Sequence, residues 1–166
     1  MSTSEMPIEP AVAKNLAGAA SEGAQLVGIG LHAQPAAIAE AINKFLEPKS
    51  PRGPDQARPA SNVDNWTDRA LPVGGLWGEL MVRSLGWQWA SLIQHDHDDF
   101  RVIAVVSPDR SLAIFPFHYC FGCLENGVYP AVLLAFNMLQ AGKIPPQPAG
   151  GYVNLMDGVR HIIPPA

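Results

Sequence analysis

The stretch "LGWQWASLIQHDHDDFRVIAVVSPDRSLAIFPF", Leu85 to Phe117, decides the fold. In "WQWASLIQ", Trp87, Trp89, Ser91 and Ile93 fall on one side of an extended chain, and Gln88, Ala90 and Leu92 on the other. That period of two is the signature of a strand. "HDHDD" is a turn, and "FRVIAVVS" is a β-branched strand. "SPDR" has the composition of a type I turn, with Pro108 second and Asp109 third. "SLAIFPF" is a third strand, ended at Pro116, which has no N–H to give to a ladder. Loops this short force antiparallel neighbours, so the stretch predicts a three-stranded antiparallel meander.

Helical spacing appears on both sides of it. "LPVGGLWGELMVRSLG" predicts a helix from Val73 to Leu85 with Trp77, Leu80, Met81, Ser84 and Leu85 on its apolar side. Gly86 is placed as the left-handed residue that closes it. A short helix follows the meander from Phe117 to Glu125 and stops at Asn126-Gly127. Pro130 opens the next, with Val132, Leu133, Phe136 and Leu139 inward and Gly142 as its stop. The tail from Lys143 to Ala166 is rich in proline and wraps the surface, anchored by Tyr152, Val153 and Leu155. Near the N-terminus, Met1 to Pro10 reads as a mobile end. Ala11 to Gln25 carries a thin stripe at Val12, Leu16 and Ala20. From Pro35, the residues Ile38, Ala41, Ile42, Phe45 and Leu46 make one apolar helical face. "EPKSPRGPDQARPASN", Glu47 to Asn62, holds four prolines and no large apolar side chain, and reads as a linker. The expected organisation is an α+β protein: an N-terminal helical extension over 1–46, a proline-rich linker over 47–62, and a core over 63–166 in which helices cover one face of the meander.

Composition bounds the function. The chain has 166 residues, of which 48% are hydrophobic and 16% charged, with a formal net charge of −4. Lys and Arg are scattered, so the dense basic patch that nucleic acid requires is missing and nucleic acid is not expected as a partner. No charged n-region precedes an apolar run, and "LVGIGLHA" is too short to span a bilayer, so a cytoplasmic location and no membrane partner are expected. Cys120 and Cys123 are the only cysteines, too few for a disulfide scaffold.

Four side chains form the candidate for metal chemistry. Cys120 and Cys123 have the x2 spacing of zinc ligands, and His95 and His97, with His118 nearby in sequence, can complete a tetrahedral set. Against zinc, Phe117, Cys120, Phe121 and Leu124 fall on one helical stripe, where a thiol is a small hydrophobe. A redox CxxC needs a strand-to-helix junction at the first cysteine, and Pro116, Phe117 and His118 intervene. Ser107, Asp109, Asp96 and His97 stand near turns, but no G-x-S-x-G and no H-E-x-x-H is present. Gly28 and Gly30 lack the third glycine of a nucleotide fingerprint. Asp109 reads as a turn residue and Arg110 as a solvated charge. No catalytic set emerges.

Over Leu71 to Gly142 the chain resembles a group of small bacterial proteins of unknown function. A helix with a G-x-x-x-G-E core leads into a GWxW strand and then a VVSPDR turn. The matching residues are Gly74, Gly78, Glu79, Gly86, Trp87, Trp89, Ser107, Pro108, Asp109 and Arg110. Proteins of this size and style resemble immunity proteins encoded beside secreted toxins. The resemblance implies a non-enzymatic module that binds a protein partner, a toxin, without a cofactor. The expected contact residues are His95, Asp96, His97, Asp98 and Asp99 at the first turn and Asp109 and Arg110 at the second. The alternative is a small zinc-binding protein or enzyme built on His95, His97, Cys120 and Cys123.

Overall fold

The computed structural model describes residues 2–48 and 66–160. In chain order these form β1 (Thr3–Met6), α1 (Pro10–Val27), α2 (Pro35–Leu46), a π-helical turn (Trp66–Ala70) and α3 (Leu71–Leu85). Then come β2 (Gln88–Gln94), a 3-10 turn (His95–His97), β3 (Phe100–Val106) and β4 (Leu112–Ile114). The chain continues through α4 (Pro116–Asn126), α5 (Val132–Gln140), β5 (Val153–Asn154) and α6 (Leu155–Arg160). The protein is α+β. Most of the expected linker, from 49 on, lies outside the described residues.

The sheet corrects the expectation of a three-stranded antiparallel meander. β2, β3 and β4 do pair antiparallel in sequence order, but the sheet has five strands, in the order β1-β2-β3-β4-β5, and is mixed. β1 adds antiparallel to the outer edge of β2, with Thr3 opposite Gln94 and Met6 opposite Ser91. Within the expected mobile end, Thr3–Met6 is therefore an edge strand. Its sequence, Thr-Ser-Glu-Met, has little strand propensity. What holds it is the row of backbone groups that β2 would otherwise leave unpaired. β5 is a parallel partner of β4 only two residues long. The tail reaches it by hydrogen bonds from Tyr152 N to Arg110 O and from Val153 N to Ser111 O, each 2.9 Å.

α3 is the centre of the molecule. Pro72 to Gly78 are buried without interruption, as are Leu80 and Met81. A helix covered nearly all round needs neighbours on several sides, and its glycines admit them. A Cβ on Gly78 would lie 2.1 Å from the Trp89 ring, and one on Gly74 would lie 2.7 Å from the Phe117 ring. Gly74 and Gly78 stand one turn apart on the same side. Together they hold a stacked pair, with the Trp89 and Phe117 rings 5.7 Å apart and 12° from parallel. Gly75 faces α1 instead, where its Cβ would come 2.7 Å from that of Ala19. On the α1 side, a Cβ on Gly23 would sit 2.1 Å from the Pro72 carbonyl oxygen.

The N-terminal helices thus pack into the main core. Ala24 of α1 and Ile38, Ala39, Ile42 and Leu46 of α2 share one cluster with Val73, Leu76, Trp77 and Phe136. From the sheet, Val105 and Ile114 join that cluster. The opposite face of the sheet carries a second, smaller cluster of Ala90, Leu92, Val102, Ala104, Val106 and Ala113, with Phe115 and Tyr152 packed against it. Both faces of the sheet are therefore dry.

The two glycines of α1 separate propensity from packing. Nothing lies within 4 Å of a Cβ on Gly18. Gly18→Ala is expected to raise stability by about 0.5–1 kcal/mol, the ordinary gain of alanine over glycine in a helix. Gly23→Ala gains the same propensity but drives a methyl into backbone, so it is expected to lower stability by about 1–3 kcal/mol. Urea midpoints of both variants check this, and equal midpoints would refute the close contact between α1 and α3.

Candidate partner-binding surface

The β2–β3 turn is built around His95. Its Nδ1 lies 2.6 Å from Asp99 Oδ1, and its Nε2 lies 2.7 Å from Ser4 Oγ in β1. The backbone N–H of His95 also donates to Ser2 O at 3.2 Å. One imidazole thus ties the turn to itself and to the edge strand. Asp98 and Asp99 both have φ of +54°, a left-handed conformation that aspartate tolerates better than most residues. Asp96, Asp98 and Asp99 are exposed. The side chain of His97 lies outside the described residues.

The β3–β4 turn is organised differently. Arg110 N donates to Ser107 O at 2.9 Å, which closes the turn expected of "SPDR". Asp109 Oδ1 accepts from Ser111 Oγ at 2.7 Å, Ser107 Oγ at 2.9 Å and Ser111 N at 3.0 Å. These donors, Ser111 first, hold the Asp109 carboxyl below its usual range. Arg110 is not the solvated charge that the sequence suggested. Its Nε and Nη2 donate to the two carboxylate oxygens of Glu5 at 2.9 and 3.1 Å. Nη2 also reaches Gln88 Oε1 at 2.7 Å, and Nη1 reaches Pro108 O at 3.1 Å. Tyr152 completes the group by donating its hydroxyl to Glu5 at 3.2 Å. Arg110 therefore joins β1, β2, its own turn and the C-terminal segment.

The two turns stand at opposite ends of β3. Seven residues at about 3.4 Å each place them roughly 20 Å apart. The expected contact residues, His97 aside, are thus two groups, one exposed at a tip and one engaged in hydrogen bonds at the other end. Glu5, Gln88 and Ser4 were not singled out in the sequence, where they are isolated polar residues with no spacing to mark them.

The cysteines lie elsewhere. Cys120 and Cys123 form no disulfide and are buried in the main cluster. Burial first, and then the neighbouring Cys123, pushes the Cys120 thiol well above its usual value, which opposes the thiolate that zinc requires. The buried stripe of α4 is Phe117, Cys120 and Cys123, while Phe121 and Leu124 are half-buried. The stripe is thus rotated by one residue from the expected one. His118 points outward and meets the edge of the Phe100 ring, with centroids 6.4 Å apart. Among the described residues, no group of three or more His, Cys, Asp or Glu side chains is placed to hold a metal ion.

Compared with protein-family models, with curated proteins and with solved structures, the chain shows no significant match. No helix among the described residues is long and apolar enough to cross a membrane.

Two expectations follow. The Arg110 hydrogen bonds hold the Glu5 carboxyl below its ordinary value. A lowered folded-state pKa gives stability that is present above the unfolded-state value and is lost as the pH falls through the folded-state value. Hydrogen exchange should therefore show β1 loosening on acidification through the carboxylate range. Glu5→Gln should be loose at neutral pH and lose that acid response. Second, elemental analysis of chelator-free protein should give no stoichiometric zinc. Cys120→Ser should cost about 1–3 kcal/mol, the penalty of a hydroxyl in an apolar site, whether or not zinc is added. One equivalent of zinc lost together with stability would favour the metal site instead.

Proposed function

We propose that the chain is a non-enzymatic protein-binding module acting in the cytoplasm. In its most concrete form it is a bacterial immunity protein that binds and neutralises a secreted toxin. One observation carries the reading: Asp96, Asp98 and Asp99 are presented at a hairpin tip that His95 braces against β1. A braced tip loses little conformational freedom on docking, so more of the contact energy appears as affinity. Clustered carboxylates raise the association rate for a basic surface and make it depend on salt. Asp109 and Arg110 serve this surface indirectly, by securing the strand that His95 leans on.

The test uses Asp96→Lys and Asp98→Lys together, leaving Asp99 to its histidine. With the product of the adjacent gene as the partner, binding should weaken at least tenfold, mostly through a slower association rate. The fold should persist, with stability lowered by no more than about 1–2 kcal/mol, the order of the backbone cost of lysine at the left-handed Asp98 position. Unchanged affinity, or no binding of that product by the parent, would count against the reading.

A further inference from the structure

A cleft of about 250 Å³ opens beside the tip, between the first turns of α4, the α4–α5 loop and α6. That is below the range of drug-sized pockets and suits a side chain. Phe115, His118, Tyr119 and Tyr129 give it aromatic walls, and Asp157 contributes a carboxylate. The Tyr119 hydroxyl accepts the Ala131 N–H at 2.8 Å, which fixes that ring. Tyr129 is 64% exposed, an unusual position for a large aromatic that serves only packing. One wall of the cleft lies near the acidic tip, because the ring of Phe100, the first residue after the tip, stands 6.4 Å from that of His118.

Resting on the reading that this protein binds another, we propose that the cleft seats one cationic side chain of the partner, an arginine or a lysine. Its charge lies between the Asp157 carboxylate and the faces of Tyr129 and His118. Aromatic faces carry negative potential and attract cations, most strongly when water is displaced. The carboxylate adds a charge of the right sign. Desolvation lowers the His118 pKa, so near neutral pH the ring offers a π face rather than a like charge. The aspartates of the tip draw a basic segment to the same edge of the molecule.

The probe is a capped Gly-Arg-Gly tripeptide, compared with the same peptide carrying citrulline, which keeps the shape of arginine without its charge. Binding is read from the His118 imidazole signals by NMR. A saturable shift with the arginine peptide is expected, at least fivefold weaker with citrulline and likewise weakened in Tyr129→Ala and Asp157→Asn. Asp96→Asn with Asp98→Asn should leave it within twofold, which separates the cleft from general attraction by the tip. No saturable shift, equal binding of citrulline, or loss of binding only in the tip variant would overturn the proposal. The outcome does not depend on finding a protein partner, so failure of the cleft and failure of the partner reading are distinguishable.

Discussion

The contact on which the rest depends is the seat of Trp89 and Phe117 on the glycine face of α3. Gly74 and Gly78 leave the helix backbone bare, and the stacked rings lie against it. This fixes three elements at once, because Trp89 belongs to β2 and Phe117 to α4. Packing alone sets the position of Trp89, since its Nε1 is buried with no hydrogen-bond partner. An orphaned donor of that kind costs about 1–3 kcal/mol. The site tolerates this because so large a ring, pressed between a helix and a second aromatic, offsets it by dispersion and burial. On the neighbouring side of α3, Gly75 admits α1, so one short run, "GGLWG", docks the sheet and the N-terminal helices together.

The polar counterpart is Arg110. Small apolar residues fill the second face of the sheet, and the Glu5, Gln88 and Tyr152 partners of Arg110 come from three separate parts of the chain. Arg110 and Tyr152 both adopt positive φ, +59° and +48°. Such backbone costs free energy and persists where its surroundings over-determine it. Here the surroundings are the bidentate pair with Glu5 and the ladder bond from Tyr152 N to Arg110 O. A planar guanidinium with five donors can satisfy this many acceptors at once, which a lysine could not.

What was legible in the sequence is what is local. The period of two in "WQWASLIQ" gave β2, the β-branched run "FRVIAVVS" gave β3, and the stripe from Ile38 to Leu46 gave α2. Gly86 does close α3 in the left-handed region, at φ of +71°. What was not legible depends on partners distant in sequence. Thr3 to Met6 has no pattern of its own and becomes a strand only because β2 has an edge to fill. β5 is two residues that the Arg110 turn captures. The helix over Ala11 to Gln25 showed only a thin stripe at Val12, Leu16 and Ala20, and the small size of Ala19 and Gly23 carried no signal. Against Gly75 and Pro72, that same smallness is what lets the helices approach. At the candidate surface the acidic tip was legible by composition. The role of Arg110 was not, since an arginine in a turn is usually solvated.

The two ends of the β2–β3–β4 ribbon show how charge is divided in a protein that has little of it. At one end the charges are engaged by hydrogen bonds: Asp109 by its own turn, and Arg110 by Glu5. At the other end Asp96, Asp98 and Asp99 stay exposed, with Asp99 paired to the His95 that reaches Ser4. Both arrangements bear on β1, where the neighbouring residues Ser4 and Glu5 take contacts from His95 and from Arg110. Four residues make a short edge, which leaves little length for another strand to add to. The aromatic cleft opens at that same end, through the contact of Phe100 with His118. On the proposed reading the exposed carboxylates supply attraction and the ring-lined recess supplies specificity, while the hydrogen bonds at the far end of the sheet hold together the strands that present them.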